Sequence, residues 1–493
     1  MKETSYPLSF RQATLTGIRQ FWLNRRTLWL GLAAAAVIWA SAQAGLWSGP
    51  LVNPGGWGLV TRLLDGLLHP RLDAAFLRLT LESTLVTLAY AVSGTVLSLL
   101  LGFVGGVLSS EVWWRARRRP TESSRAPWLV VRGLLAIPRA IHEVVWGLFF
   151  VSILGLAPLV GILAIAIPFG SICAKVFSEI LDEQPRDAFL AILNSGVSPA
   201  KAFFYGLLPQ ALPNLISYSF YRFECSIRSA TVLGLIGAGG LGFQILLSLQ
   251  SLRYEEMLPL LLALLMLSGV TDLWSARLRL YIGGSSRIDL NWNSTRQGKT
   301  IARQYSGTSS AFVRFSLVAL LLLTVFAFLY LKPDFTSLAA PRTTQLFAGL
   351  VQDAFPPRLS LVSRDQLVRL TLQTLSISIL AMTGAGVLGI AAAFLGAHLS
   401  WKRKNGFSDL LVRLFTRGLL LFARAVPTPI WALIVLFVLF PGALPGAISL
   451  GIHNWGIAGR LMAESVENMS EKPLQALQGL GASDPQVILY GAL

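Results

Sequence analysis

Arg222, Glu224 and Arg228 stand close together inside an otherwise apolar run, about 209–233. A charge at the centre of a bilayer costs roughly 2.5–3.5 kcal/mol on insertion scales, so a membrane helix carrying these three needs a reason for them. Two readings fit. Glu224 and Arg228 are four apart, the spacing of an internal ion pair that holds a helix in its bundle. Alternatively the arginines, with Ser229, form a cationic surface along an anion pathway, because guanidinium meets oxyanion oxygens in a bidentate way. His142-Glu143 is a second polar patch in an apolar run, suited to a structural or gating role rather than proton transfer.

Other chemistry-bearing patterns are weaker. Gly237, Gly239, Gly240 and Gly242 fall in a literal GxGxxG, with Glu255 and Glu256 at the distance of a ribose-binding acid. A dinucleotide site needs that loop in a soluble βαβ unit. Here it lies between two apolar runs, and the glycines suit tight backbone packing at an outer gate. Gly298-Lys299-Thr300 ends like a phosphate-binding P-loop, but the first glycine falls at Asn293 and no apolar strand precedes it. His69, His142, His398 and His453 show no metal-ligand spacing, and no nucleophile–base pattern appears. Cys173 and Cys225, both in apolar surroundings, form no CxxC and no disulfide framework.

The elements that must position these residues follow from composition. The 493-residue chain is 54% hydrophobic and 13% charged, with mean hydropathy +0.62, whereas soluble domains carry about 25% charged residues. Several apolar runs exceed the ~20 residues that span a bilayer, and backbone in lipid must satisfy itself, so the spans are helices. The chain is an all-α polytopic membrane protein. Its net charge of +17 is concentrated between spans: Lys2, Arg11, Arg19, Arg25 and Arg26 before the first, Arg115 to Arg125 after the second, a basic stretch 277–310, and Lys402-Arg403-Lys404. That is the positive-inside pattern; nucleic-acid binding would need one folded basic face with stacking aromatics. The N-terminus is therefore expected in the cytoplasm, with the first apolar run retained, since no small-residue cleavage site follows it. Spans are expected at about 28–47, 77–108, 128–154, 157–178, 209–233 and 256–276, then 311–331, 368–399, 413–440 and 443–463.

Residues 179–208 recur at 464–493, 285 positions on. Glu179, Gly196-Val197-Ser198 and Tyr205-Gly206 match Glu464, Gly481-Ala482-Ser483 and Tyr490-Gly491. Arg78-Leu79-Thr80-Leu81 matches Arg369-Leu370-Thr371-Leu372, Arg132-Gly133-Leu134-Leu135 matches Arg417-Gly418-Leu419-Leu420, and Trp146 matches Trp431. A fixed-offset repeat in the same order means two homologous parallel halves about a pseudo-two-fold axis along the membrane normal. The halves read as 1–276 and 311–493 around the basic linker 277–310. Six spans are expected in the first and four in the second, which ends where the first continues with Pro209.

The repeated segment resembles the EAA loop of ABC importer permeases, with Ala191, Gly196, Leu208 and Pro209 in one copy and Ala476 and Gly481 in the other. The leading glutamate of that pattern is replaced by Leu190 and Gln475. The stretch from Tyr221-Arg222-Phe223-Glu224 through Arg228-Ser229-Ala230-Thr231-Val232-Leu233-Gly234 to Gly242 is similar to phosphonate-type permeases, and more loosely to methionine-type ones. The resemblance implies a type I ABC importer transmembrane fold in the inner membrane. It implies coupling helices at about 185–200 and 470–485 that dock two ABC ATPase subunits, with Phe189, Ile192 and Leu193 filling the ATPase groove. It further implies an extracytoplasmic substrate-binding protein, a gate near 234–242, and ATP and Mg used by the partner subunits rather than bound here. Phosphonate, phosphite, hypophosphite and phosphate are not separable from these residues. The competing readings are a methionine-like or other small-solute importer, and a non-ABC secondary transporter.

Overall fold

The computed structural model describes residues 25–47, 49–117, 126–282, 309–354, 363–398, 407–467, 469, 471–487 and 490. Lys2, Arg11 and Arg19, Arg118, Arg119 and Arg125, linker positions 283–308 with Gly298-Lys299-Thr300, Lys402-Arg403-Lys404 and Gly491-Ala492-Leu493 lie outside the described residues.

The regular structure of the described residues is helical, apart from an isolated antiparallel bridge between Val52 and Leu439. In chain order the helices are α1 (Arg25–Gln43), α2 (Trp57–Leu68), α3 (Ala74–Ser109), α4 (Glu111–Arg117), α5 (Ala126–Ala140), α6 (Glu143–Leu154) and α7 (Pro158–Asp182). Next come α8 (Asp187–Asn194), α9 (Pro199–Ala202), α10 (Leu208–Leu233), α11 (Gly240–Gln250), α12 (Met257–Ile282), α13 (Ser309–Leu331) and α14 (Pro341–Ala354). The chain continues through α15 (Arg364–Gly396), α16 (Phe407–Ala425), α17 (Thr428–Val438), α18 (Ala443–Glu467), α19 (Glu471–Gly479) and α20 (Asp484–Val487).

The expected spans lie largely on helix, but not every one is a single rod, and those expected at 28–47 and 443–463 are not among the helices long and apolar enough to cross a membrane. Among the described residues, five straight helices are long and apolar enough to cross a membrane, and three further candidates are bent pairs. The run expected at 128–154 breaks between α5 and α6 with a bend of 85°, and its repeat at 413–440 breaks between α16 and α17 with a bend of 97°. The cause is local. Pro138 lies in the last turn of α5, and His142 starts a new helix by accepting the Val144 N–H at its Nδ1 (3.3 Å). In the second copy Pro427 and Pro429 lack the N–H groups a continuous helix would use. The two corners are pinned alike: the Trp146 indole N–H donates to the Pro138 carbonyl and the Trp431 indole N–H to the Ala423 carbonyl, each at 3.1 Å. The third bend, 58°, joins α10 to α11, so the glycine-rich turn after 233 leads into a helix rather than a plain loop.

Small residues set how the long helices pack. A Cβ on Gly94 would come within 2.8 Å of the Ile165 side chain, one on Gly106 within 2.7 Å of Phe177, and one on Gly102 would collide with Cys173. Lipid is as apolar as leucine, so helices associate through close backbone approach, which these residues allow between α3 and α7. Gly389 against Met462 and Gly451 against Ala381 serve α15 and α18 in the same way.

The chain forms two compact units, and their boundaries differ from those of the sequence halves. One unit comprises residues up to Val60 with Leu359–Arg424 and Trp431–Leu493; the other comprises Thr61–Arg358 with Ala425–Ile430. Helix α1, which opens the first half, packs on α15, and α13, which opens the second, packs on α3. Its residues Ala327 and Leu331 join the buried cluster of Tyr90, Ile165, Phe223 and Ile227.

Candidate functional site

The repeated segment folds twice into the same element: a short helix, a left-handed glycine and a second short helix. Gly196 (φ +83°) lies in the turn between α8 and α9, and Gly481 (φ +88°) in the turn between α19 and α20. The caps match bond for bond. The N–H of Ser195 donates to the Ala191 carbonyl (3.2 Å) and that of Gly196 to Leu193 (3.1 Å). The N–H of Leu480 donates to Ala476 (3.1 Å) and that of Gly481 to Gln478 (2.9 Å). A residue without Cβ adopts this conformation freely, and open space surrounds both glycines.

Ala191, Gly196 and Pro209 are exposed and Leu208 is half-buried; Ala476 and Gly481 are exposed. One expectation is overturned. Phe189 is 3% exposed and packs inward with Trp113, Leu181, Phe203 and Leu207; Ile192 and Leu193 lean on the same cluster. Phe189 thus anchors the element to its own protein instead of facing a partner's groove, and Ile192 and Leu193 are half-buried. Leu474, at the place of Phe189, is buried equally, with Val466 and Val487. The outward apolar surface is instead Leu190 with Phe204 and Tyr205 in one copy, and Leu480 with Tyr490 in the other; the two tyrosines are each 76% exposed.

A carboxylate at the end of the helix that leads into each element braces that helix to its neighbours. Asp182, at the end of α7, accepts from Ser110 Oγ (2.7 Å) and from the N–H groups of Glu111 (3.1 Å) and Val112 (3.2 Å), and lies 3.6 Å from Arg132 Nη2. Arg132 Nε donates to the Ser109 carbonyl (3.1 Å). In the second copy Glu467 accepts from the His398 N–H and from Arg417, whose Nε donates to the Gly396 carbonyl (2.8 Å). Both members recur 285 positions apart. The arginine repeat is plain in the sequence; the Asp182/Glu467 exchange hid its partner, although the matching offset was a usable signal.

Within α10 the structure separates the four polar residues. Arg222 and Glu224 are buried, and Arg222 lies over the Phe169 ring with its guanidinium carbon 3.8 Å from the centroid. Arg228 Nη2 reaches Cys225 Sγ at 3.2 Å. Ser229 Oγ donates to Glu143 (2.8 Å), whose other oxygen lies 3.4 Å from His142 Nε2. The His142-Glu143 patch thus joins α10 at the α5–α6 corner.

The glycine-rich stretch follows a helix, not a strand, which removes the dinucleotide pattern's required setting. Gly237, Gly239 and Gly240 have φ of +102°, +83° and +78°. The Leu241 N–H donates to Thr87 Oγ1 (2.9 Å), a Cβ on Gly240 would sit 2.5 Å from that oxygen, and one on Gly242 would strike the Thr231 carbonyl. The bend is wedged against α3 and α10, and a small hollow lined by Tyr90, Leu156, Pro158, Gly161, Ile236 and Gly237 lies beside it.

A further cluster braces the region before α3. Glu256 accepts from Arg71 (2.9 Å) and Ser248 (2.8 Å) and lies 3.6 Å from Arg253. Arg71 also bonds Asp73, which caps α3 by accepting the Phe76 N–H (3.1 Å). The Arg71 bond holds the Asp73 carboxyl below its ordinary range.

Residues 121–283, from just before α5 to the end of α12, match the family model described as "Binding-protein-dependent transport system inner membrane component". The chain is 27% identical to the phosphate-import permease protein PhnE of Mycolicibacterium smegmatis over 86% of this chain and 73% of that one. It is 27% identical to the phosphite transport system permease protein PtxC of Stutzerimonas stutzeri over 55% of this chain and 95% of that protein. It is 34% identical to the cryptic phosphonate transport system permease protein PhnE2 of Escherichia coli K12, over 24% of this chain and 96% of that protein. With a helical structure of several membrane-length spans, a relative covered almost whole at 34% identity and the matched family model, this chain belongs to the binding-protein-dependent inner-membrane permeases, as a multi-pass ABC importer permease of the phosphonate type.

Proposed function

We propose that the chain forms the membrane pathway of an ATP-driven importer that moves a phosphorus oxyanion (phosphonate, phosphite, hypophosphite or phosphate) into the cytoplasm. An extracytoplasmic binding protein delivers the anion to the outer face, and the N-terminus lies inside. Two copies of an ABC ATPase, carrying the ATP and Mg, dock one on each helix–glycine–helix element, around Ala191 and Gly196 and around Ala476 and Gly481. The observation that carries this reading is that element, formed twice with the same cap and the same inward anchor. Closure of the ATPase dimer moves the two elements with the helices that lead into them, α7 and α18, and the Asp182–Arg132 and Glu467–Arg417 pairs carry that motion to α5 and α16. The bend at Gly237, Gly239, Gly240 and Gly242 then serves as the outer gate. The anion substrate rests on the names of the relatives and on the arginines of α10.

The test is ATP hydrolysis by the complete complex in liposomes with its binding protein. Stimulation by a phosphorus oxyanion and not by methionine is the expected outcome. Equal stimulation by methionine overturns the substrate, and uptake driven by a proton or sodium gradient without ATP overturns the mechanism. Gly196→Trp and Gly481→Trp each meet open space and are expected to weaken ATPase association without unfolding the spans; normal co-purification of the ATPase with both variants rules out docking there.

A further inference from the structure

We infer that Arg222 is an oxyanion-binding site within the membrane domain, taking two oxygens of the transported anion on one edge of its guanidinium; the inference rests on the import function proposed above. Arg222 stands near the middle of α10 and is 7% exposed. Among the described residues, none accepts a hydrogen bond from its Nε or Nη2. These two nitrogens carry the parallel N–H pair of the fork, the edge that fits two oxygens of a carboxylate or a phosphoryl-type anion side-on.

The surroundings leave that edge without a counter-ion of its own. The guanidinium lies over Phe169, and its close neighbours include the thiols of Cys173 and Cys225 and the Tyr218 side chain, none an ordinary counter-ion. Glu143 also acts on Arg222 electrostatically, and its two oxygens are engaged by Ser229 and His142. Glu224, two positions on, points about 200° around the helix from Arg222 at ~100° per residue and has a partner of its own. A buried charge is retained against its desolvation cost when something pairs with it. Here the pairing chemistry left over is that of a small anion with two adjacent oxygens, in a low-dielectric setting that strengthens the contact. The side chain is enclosed in this conformation, so the anion reaches it when α10 and α7 rearrange during transport.

The experiment uses the complete complex, with its ATPase and binding protein, in liposomes. Uptake of phosphite, methylphosphonate and inorganic phosphate is measured for the wild type, Arg222→Lys and Arg222→Met, together with ATP hydrolysis and melting temperature. A Cys173→Ala background leaves Cys225 as the thiol reporter for N-ethylmaleimide. Arg222→Met is expected to lose at least tenfold in uptake, keep the ATP hydrolysis stimulated by loaded binding protein, and melt no lower than the wild type. Arg222→Lys, a point charge without the fork, is expected to recover only part of the uptake. The transported anion is expected to slow Cys225 labelling during turnover in the reporter protein and not in its Arg222→Met form. Wild-type uptake with undiminished uptake by Arg222→Met overturns the site and leaves the import function standing. A destabilised Arg222→Met beside a fully active Arg222→Lys also overturns it, assigning Arg222 a structural role. A wild type that imports no phosphorus oxyanion, while sulfate protects Cys225 in an Arg222-dependent way, overturns the proposed substrate and supports the anion site.

Discussion

At the scale of single residues, Gly196 and Gly481 show how a backbone requirement fixes the turn in each repeated element. Their φ values near +85° cost an L-residue about 1–2 kcal/mol, and nothing nearby obstructs a side chain. Gly196→Ala and Gly481→Ala are therefore expected to leave the membrane helices intact while weakening ATPase binding roughly tenfold each; titrating the ATPase against the purified permease measures it, and unchanged affinity in both counts against a fixed turn at the contact. Asp73 gives the pH prediction. Its carboxyl is held low by Arg71, so the charged form is favoured in the fold. That contribution is present above the ordinary carboxylate range and is lost as pH falls through the lowered value. Melting curves of the wild type are expected to drop more steeply on acidification than those of Asp73→Asn; parallel curves would remove Asp73 as the cause. The glycines were legible in the sequence because they recur at one offset. The inward turn of Phe189 was not, because an apolar residue on a short amphipathic helix fits either face equally well until the helix is packed.

At the scale of elements, the carboxylate–arginine pairs brace the helices that lead into the two repeated elements. Asp182 serves the first turn of α4 and the Arg132 of α5 at once, so Asp182→Asn keeps the shape and removes the charge. Bonds to a charged group contribute about 1.5–3 kcal/mol each, and the variant is expected to hydrolyse ATP with several-fold less uptake per ATP. The exchange Arg132→Asp with Asp182→Arg is expected to restore part of that ratio. An unchanged uptake-to-ATP ratio in Asp182→Asn would show that coupling travels elsewhere. The broken helices belong to this scale as well. An apolar run of the right length reads as one span, and the corners at Pro138 to His142 and at Pro427 became visible only through the tryptophan bonds that pin them.

At the scale of the whole molecule, the two sequence halves exchange their opening helices, α1 packing on α15 within one unit and α13 on α3 within the other. A chain divided within 283–308 and expressed as two fragments is therefore expected to co-purify in mild detergent, since each fragment carries a helix that belongs to the other's unit. Separation of the fragments would mean that these contacts are too weak to matter. The sequence by itself determined the class, the repeat and the place of the repeated element, because hydropathy, charge placement and a fixed offset are properties of residue order. Tertiary structure alone decided which helices pack together, which side of α8 and α19 faces outward, where the spans bend, and that Arg222 keeps an edge without a hydrogen-bond partner among the described residues. Each of those depends on neighbours far along the chain, and no local pattern encodes a neighbour's position.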